Sequence, residues 1–150
     1  IEISEVKDAL HNVNFPERRL SIHKSIANSI LIDDSYNSNP ASMKRSIDLI
    51  ASMINYKKIC LFGAMKELAE DSNSLHSDVY EYAKDKIDYF FCLGEEWYCI
   101  QDPDNTNFKI FSSHEELYES SKNLINLDTV TLVKGSRSTR MDVVADKLKN

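Results

Sequence analysis

Apolar and polar positions along this chain keep two alternating rhythms. Short apolar runs at residues 29–33 (SILID), 58–63 (KICLFG), 89–94 (YFFCLG), 108–111 (FKIF) and 129–135 (TVTLVKG) have the length and β-branched or aromatic content of buried strands. Residues 19–25 (RLSIHKS) alternate apolar with polar, as a half-exposed strand does. Between the runs, apolar residues recur every three or four positions. That spacing predicts helices burying Met43, Ile47, Ile50 and Ile54; Leu75, Val79, Tyr82, Ala83 and Ile87; Leu117, Ser121, Leu124 and Ile125; and Met141, Val144, Ala145 and Leu148. Asn39-Pro40 reads as a cap followed by proline in the first helical turn. Ser4 can cap a short helix reaching Leu10, with Val6 and Leu10 on one face. A helical turn through Trp97 and a turn-rich DPDNTN complete the pattern.

Strands separated by helices imply βαβ units and a parallel sheet. Continuous apolar strands imply a sheet covered on both faces. The first two strands lie too close in sequence for a crossover, so they form an antiparallel hairpin. The expected fold is therefore α/β, with a mixed, mostly parallel sheet of six strands and helices on both faces.

Composition narrows the function. With 150 residues the chain suits one domain, here 1–150. Its formal charge of −6 argues against a generic nucleic-acid binder. No apolar run approaches the roughly 20 residues of a membrane span, and IEISEVKDAL has neither the basic nor the apolar region of a signal peptide. Cys60, Cys92 and Cys99 are odd in number and fit no zinc spacing; they read as reduced thiols of a cytosolic protein. Three glycines are too few for a glycine-rich phosphate loop, and G-x-x-x-x-G-K-[S/T] does not occur.

In open α/β sheets, ligands bind beyond the carboxyl ends of the strands. Gly63, Gly94, Gly135 and the pair Asp33-Asp34 mark four such ends, so the loops DDSYNSNP, GAMKE, GEEW and KGSRSTR should meet on one edge. DDSYNSNP (33–40) carries groups suited to ribose hydroxyls, a base edge or a metal; a helix cap with turn formers is the simpler reading. KGSRSTR (134–140) holds Lys134, Arg137 and Arg140 without an acid and leads into a helix, which suits an anion; a solvated basic turn is the alternative. Lys66 and Glu67 fit a substrate contact or a surface ion pair equally well. His11, His23 and His114 read as structural or surface residues, whereas His76 sits in a first helical turn on the ligand edge.

These residues together resemble the C-terminal domain of the Mur ligases. The matching signatures are Arg19-Leu20, Asp33–Pro40, Ala41-Ser42-Met43, Gly63-x-Met65-x-Glu67-Leu68, Ser72 with His76, and Val133–Arg137 with Ser138 and Met141. The resemblance implies a Rossmann-like three-layer domain of a cytoplasmic, ATP- and Mg2+-dependent ligase. The branch it points to joins D-alanyl-D-alanine to UDP-N-acetylmuramoyl-tripeptide through an acyl phosphate, in peptidoglycan precursor synthesis. It implies partner domains of the same enzyme, an N-terminal one for the UDP-sugar and a central one with the phosphate loop and most metal ligands. This chain alone would then be catalytically incomplete, with no metal site of its own. By matched position, Arg19, Asp34, Tyr36, Asn37 and Asn39 face the nucleotide, and Lys66, Ser136, Arg137 and Ser138 receive the incoming carboxylate. Two positions depart from the family: Ala64 stands for an aspartate, and Arg18-Arg19 for Gly-Arg. A tripeptide-forming Mur ligase, a receiver-like signalling domain built on Asp33-Asp34 and Lys134, and a plain interaction module are the other readings.

Overall fold

The computed structural model describes Ser4 and residues 17–150. Past its first residue, the expected helix from Ser4 to Leu10 lies outside the described residues. Six strands, β1 (Ser21–Lys24), β2 (Ile30–Asp34), β3 (Lys57–Gly63), β4 (Tyr89–Leu93), β5 (Phe108–Phe111) and β6 (Thr129–Lys134), form one sheet in the order β1-β2-β6-β3-β4-β5. Only the β1–β2 pair is antiparallel; the other four pairings are parallel. The expected mixed sheet and its N-terminal hairpin are both present.

Among residues 17–150, the sheet is covered by α1 (Pro40–Ala51), α2 (Ser72–Ala83), α3 (His114–Lys122) and α4 (Asp142–Leu148). Helices α1 and α2, with the 3-10 turn at Glu95–Cys99, pack Met43, Ile47, Ile50, Val79, Tyr80 and Trp97 on one face, over Ile32, Phe62, Phe90 and Leu132. Helices α3 and α4 pack Leu117, Met141, Val144 and Leu148 on the other, over Leu31, Leu61, Phe91 and Val133. Neighbouring residues such as Leu31 and Ile32 point to opposite faces and are both fully buried, which is why the strands read as unbroken apolar runs. No helix among the described residues is long and apolar enough to cross a membrane.

Sequence expectations move at all four helices; α3 ends at Lys122, so Leu124 and Ile125 lie beyond it. Helix α1 ends at Ala51, so Ile54 falls beyond it and is 76% exposed. Helix α2 turns His76, Val79, Tyr80 and Ala83 inward, leaving Leu75 and Tyr82 at its half-buried margin. A histidine was not counted as core, and it occupies the stripe because both ring nitrogens find partners. The last helix begins at Asp142: residues Arg137–Thr139 form a 3-10 turn, and Arg140 is left-handed at φ 54°. No helix N-terminus therefore faces Ser136 and Arg137.

The order of the strands locates the functional edge. The chain leaves β2 and β3 through helices on one face and leaves β6 through α4 on the other, with β6 between them. Such a switch point opens a crevice at the carboxyl ends of the strands.

Candidate functional site

Asp33 and Asp34 end β2 and do different work. Asp33 is fully buried and accepts from Ser35 Oγ (2.5 Å) and Arg18 Nη1 (3.2 Å), with Lys149 Nζ at 2.9 Å. Arg18 also forms a two-pronged pair with Asp146, 3.0 Å on each side. Its hydrogen bond with Asp146 raises the Arg18 pKa, and the same bond holds Asp146 below the ordinary aspartate value. Asp33 thus ties the start of the domain and the end of α4 to the sheet. Arg18 adopts φ 63°, a conformation that glycine takes freely, and its side chain supplies this clamp.

Asp34 points toward the crevice. Its Oδ2 accepts from Lys134 Nζ (2.7 Å) and Ser46 Oγ (2.7 Å), and its Oδ1 accepts from the Leu20 N–H (3.1 Å). Lys134 also donates to the Asn37 carbonyl at 3.0 Å and is 3% exposed. Burial pushes the Lys134 pKa down, against the pull of Asp34. Lys134 is therefore an internal cross-strand cation, not part of an open anion site. Arg140 is likewise committed, to Asp142 at 2.9 Å. With Asp33, Asp34 and Lys134 paired internally, the receiver-like reading loses its free acidic pair. Among the described residues, no group of three or more His, Cys, Asp or Glu stands where it could hold a metal.

The expected meeting of loops is present, and Ser136 joins three of them. Its N–H donates to the Ala64 carbonyl (3.0 Å), while its hydroxyl accepts from the Lys66 N–H (2.8 Å) and donates to the Ser38 carbonyl (3.3 Å). Gly63 and Gly135 lie back to back there: a Cβ on Gly135 would come within 2.9 Å of the Gly63 Cα. The fourth loop arrives through Glu96, which pairs with the Lys66 ammonium. Burial, the largest single influence, would raise Glu96, but the hydrogen bond and charge of Lys66 together with a bond from its own backbone N–H leave the carboxylate below its ordinary pKa. The Lys66 ion pair is therefore with Glu96, not with Glu67.

Two adjoining clefts result. One, of about 570 Å³, is lined by Tyr36, Asn37, Ser38, Asn39, Lys66, Glu67, Leu68, Ser136, Arg137 and Ser138. The other, of about 420 Å³, is lined by Arg19, Leu20, Asp34, Asn37, Ser38, Asn39, Ser42, Arg45, Ser46 and Lys134. They share residues 37–39. At their junction the guanidinium groups of Arg19 and Arg137 lie 4.4 and 5.0 Å from the centroid of one ring, that of Tyr36.

All nine sequence-selected residues line one cleft or the other, but not all with free side chains. Asn39 caps α1: its Oδ1 accepts from the Ser42 N–H (2.8 Å), and the Ser42 hydroxyl answers the Asn39 N–H (3.1 Å). Asn37 Oδ1 accepts from the Ser38 N–H. The Ser136 hydroxyl holds loops together, as described. Arg19, Tyr36, Arg137 and Ser138 are exposed to the clefts. The sequence reading missed Ser42, Arg45 and Ser46 as cleft residues. Their spacing of three and four, along the margin of the apolar stripe of α1, was the available signal. It also missed the Ser38 hydroxyl, which is buried without a partner.

Residues 18–137 match the family described as Mur ligase, glutamate ligase domain. A relative from Buchnera aphidicola subsp. Acyrthosiphon pisum, UDP-N-acetylmuramoyl-tripeptide--D-alanyl-D-alanine ligase, is 36% identical over 99% of this chain and 33% of its own length. The chain thus spans about a third of the length of the curated relatives it matches. A crystal structure of MurF from Acinetobacter baumannii superposes with a TM-score of 0.77 and 26% identity, over 98% of this chain and 34% of that one. MurF from Thermotoga maritima, solved in complex with ADP, shares the fold with a TM-score of 0.76 and 21% identity, over 95% of this chain and 35% of that one. The match runs through both clefts from Arg18 to Arg137, and the chain belongs to the Mur ligase family, as its glutamate ligase domain.

Proposed function

We propose that this chain is the domain of an ATP-dependent amide ligase that closes over the nucleotide and presents D-alanyl-D-alanine to UDP-N-acetylmuramoyl-tripeptide. The observation that carries the reading is the pair of clefts at the β2–β6–β3 switch point, bridged by Arg19 and Arg137 over Tyr36. The kinship with ligases of that printed name supports it. In this reading the enzyme works in the cytoplasm, in peptidoglycan precursor synthesis. The rest of the enzyme supplies the UDP-sugar site, the phosphate loop and the magnesium ligands.

The residues fit a nucleotide beside Arg19. Among the described residues Asp34 Oδ1 accepts one internal bond, so a lone pair remains for a ribose hydroxyl, and Arg45 adds a second cation to that cleft. They do not fit magnesium, because Asp33 and Asp34 are already paired with Arg18, Lys149 and Lys134. ATP, when bound, supplies the energy that activates the tripeptide carboxylate as an acyl phosphate. This chain's own contribution is orientation. Arg137, with no acid against it among the described residues, takes the dipeptide carboxylate through two parallel hydrogen bonds. Lys66 and Ser138 flank it, and Ser136 fixes the loops that carry them. Holding the carboxylate aims the amine, which is where a positioning domain gains rate.

Arg137→Lys in the intact ligase keeps the charge and loses the fork. Losing one charged hydrogen bond, about 1.5 kcal/mol, lowers kcat/KM for the dipeptide about tenfold and leaves the ATP KM unchanged. A defect confined to ATP in steady-state kinetics assigns Arg137 to a phosphate and overturns this placement.

A further inference from the structure

We infer that His76 is a positioning residue for the loop carrying Lys66, holding its backbone through a neutral imidazole. The inference deepens the functional reading above and rests on it for the identity of the substrate.

His76 is fully buried, and neither the nucleotide nor the dipeptide assignment uses it. Its Nε2 lies 3.1 Å from the Met65 backbone nitrogen, which can only donate. Nε2 is therefore the acceptor, and the proton sits on Nδ1, which donates to the Ser72 carbonyl at 2.7 Å. Trp97 packs edge-on against the ring, with centroids 4.6 Å apart, and closes the site to solvent. Burial lowers the histidine's pKa; the Ser72 carbonyl and Glu96 oppose the shift and Lys66 adds to it. A charged ring would set a second N–H against the Met65 N–H.

The held amide lies in a short run of ties to different parts of the fold. The Ala64 carbonyl accepts from Ser136, the Met65 N–H donates to His76, and the Lys66 N–H donates to the Ser136 hydroxyl. Ser136 anchors the run to β6, and His76 anchors it to α2 on the far side of β3. Removing the Met65 acceptor leaves, among the described residues, Ser136 and the Lys66–Glu96 pair to hold residues 64–66, and it orphans a buried N–H. Lys66, at the mouth of the larger cleft, then loses its fixed approach to the substrate carboxylate. Misplacements of about 1 Å cost positioning groups as much as ~100-fold.

The test compares His76→Phe, which fills the space without an acceptor, with His76→Gln, whose side-chain oxygen can reach the Met65 N–H, both in the intact ligase. The readouts are KM for D-alanyl-D-alanine, KM for ATP, and amide hydrogen exchange of the peptide spanning 64–66. In His76→Phe, the dipeptide KM rises about tenfold or more, exchange quickens, and the ATP KM stays within about twofold. His76→Gln restores both values to within about threefold of the parent. If His76→Phe fails to fold, His76→Ala takes its place as the variant without an acceptor: dipeptide KM and exchange that rise together, with ATP KM unmoved and His76→Gln near the parent, uphold the inference. Exchange and dipeptide KM that move apart, or an equal loss for ATP and dipeptide, overturn it. A parent enzyme that does not use the dipeptide refutes the functional reading instead, and the exchange comparison still reports on His76.

Discussion

Asp34 shows how one carboxylate can serve fold and site together. The sequence reading placed it on the nucleotide, and the structure surrounds it with Lys134, Ser46 and the Leu20 amide. Truncating it therefore does more than remove a ribose contact. Among the described residues Asp34→Ala leaves the buried Lys134 ammonium with the Asn37 carbonyl alone, and breaking a buried pair from one side costs about 3–5 kcal/mol. The expected result is a clear fall in the unfolding midpoint of the intact ligase together with a raised ATP KM. Calorimetry and steady-state kinetics on the same sample check both. A raised ATP KM with undiminished stability would show that Lys134 finds another partner. Neither the Lys134 partnership nor that of Asp33 with Lys149 is legible in sequence, because the partners stand 100 residues or more apart. Only the polar character of the strand ends was visible there.

Elements were legible wherever local pattern and tertiary packing agree. Five of the strands are apolar runs and β1 alternates apolar with polar, and Asn39-Pro40 announces α1 through a cap that the structure completes with Ser42. Where one residue's tertiary partner decides, the pattern misleads. Helix α2 faces inward through His76 because Met65 and Ser72 satisfy its ring. Residues 137–140 refuse the helix because the chain must turn under the Gly63–Gly135 contact before α4 starts. That contact gives a test at this scale. A Cβ on Gly135 would fall 2.7 Å from Thr139 Oγ1 and 2.8 Å from Met141 Cγ, as well as against the Gly63 backbone. Gly135→Ala must push β6 and the 136–139 turn away from β3, and overpacking of this kind costs about 1–3 kcal/mol. The expected outcome is a lower denaturation midpoint and weaker use of the dipeptide, since Ser136 and Arg137 move with the turn. Unchanged stability in urea unfolding would mean that Thr139 and Met141 yield without moving the strand.

At the scale of the whole molecule, the core and the chemistry point to different degrees of completeness. Both faces of the sheet are covered, and the chain's last residues are tied in. The Ser25 hydroxyl donates to the Leu148 carbonyl at 2.7 Å, and the Asn150 N–H donates to the Lys24 carbonyl at 3.1 Å. A domain with two filled layers and a clasped end should unfold as one unit. The clefts, by contrast, offer Arg19, Arg45 and Arg137 to anions but hold no phosphate loop, and no metal-binding cluster occurs among the described residues. Phosphoryl transfer needs backbone amides around the phosphates and a metal across them. Residues 1–150 expressed alone are therefore expected to give a single cooperative transition, superimposable by circular dichroism and Trp97 fluorescence, and no ADP release above buffer. Addition of D-alanyl-D-alanine should not change that result, because the dipeptide supplies an amine and a carboxylate but nothing to bind the leaving phosphate. Sustained ATP turnover by a sample free of contaminating ATPases would place phosphate-handling groups in this domain and overturn the division of labour proposed for the enzyme.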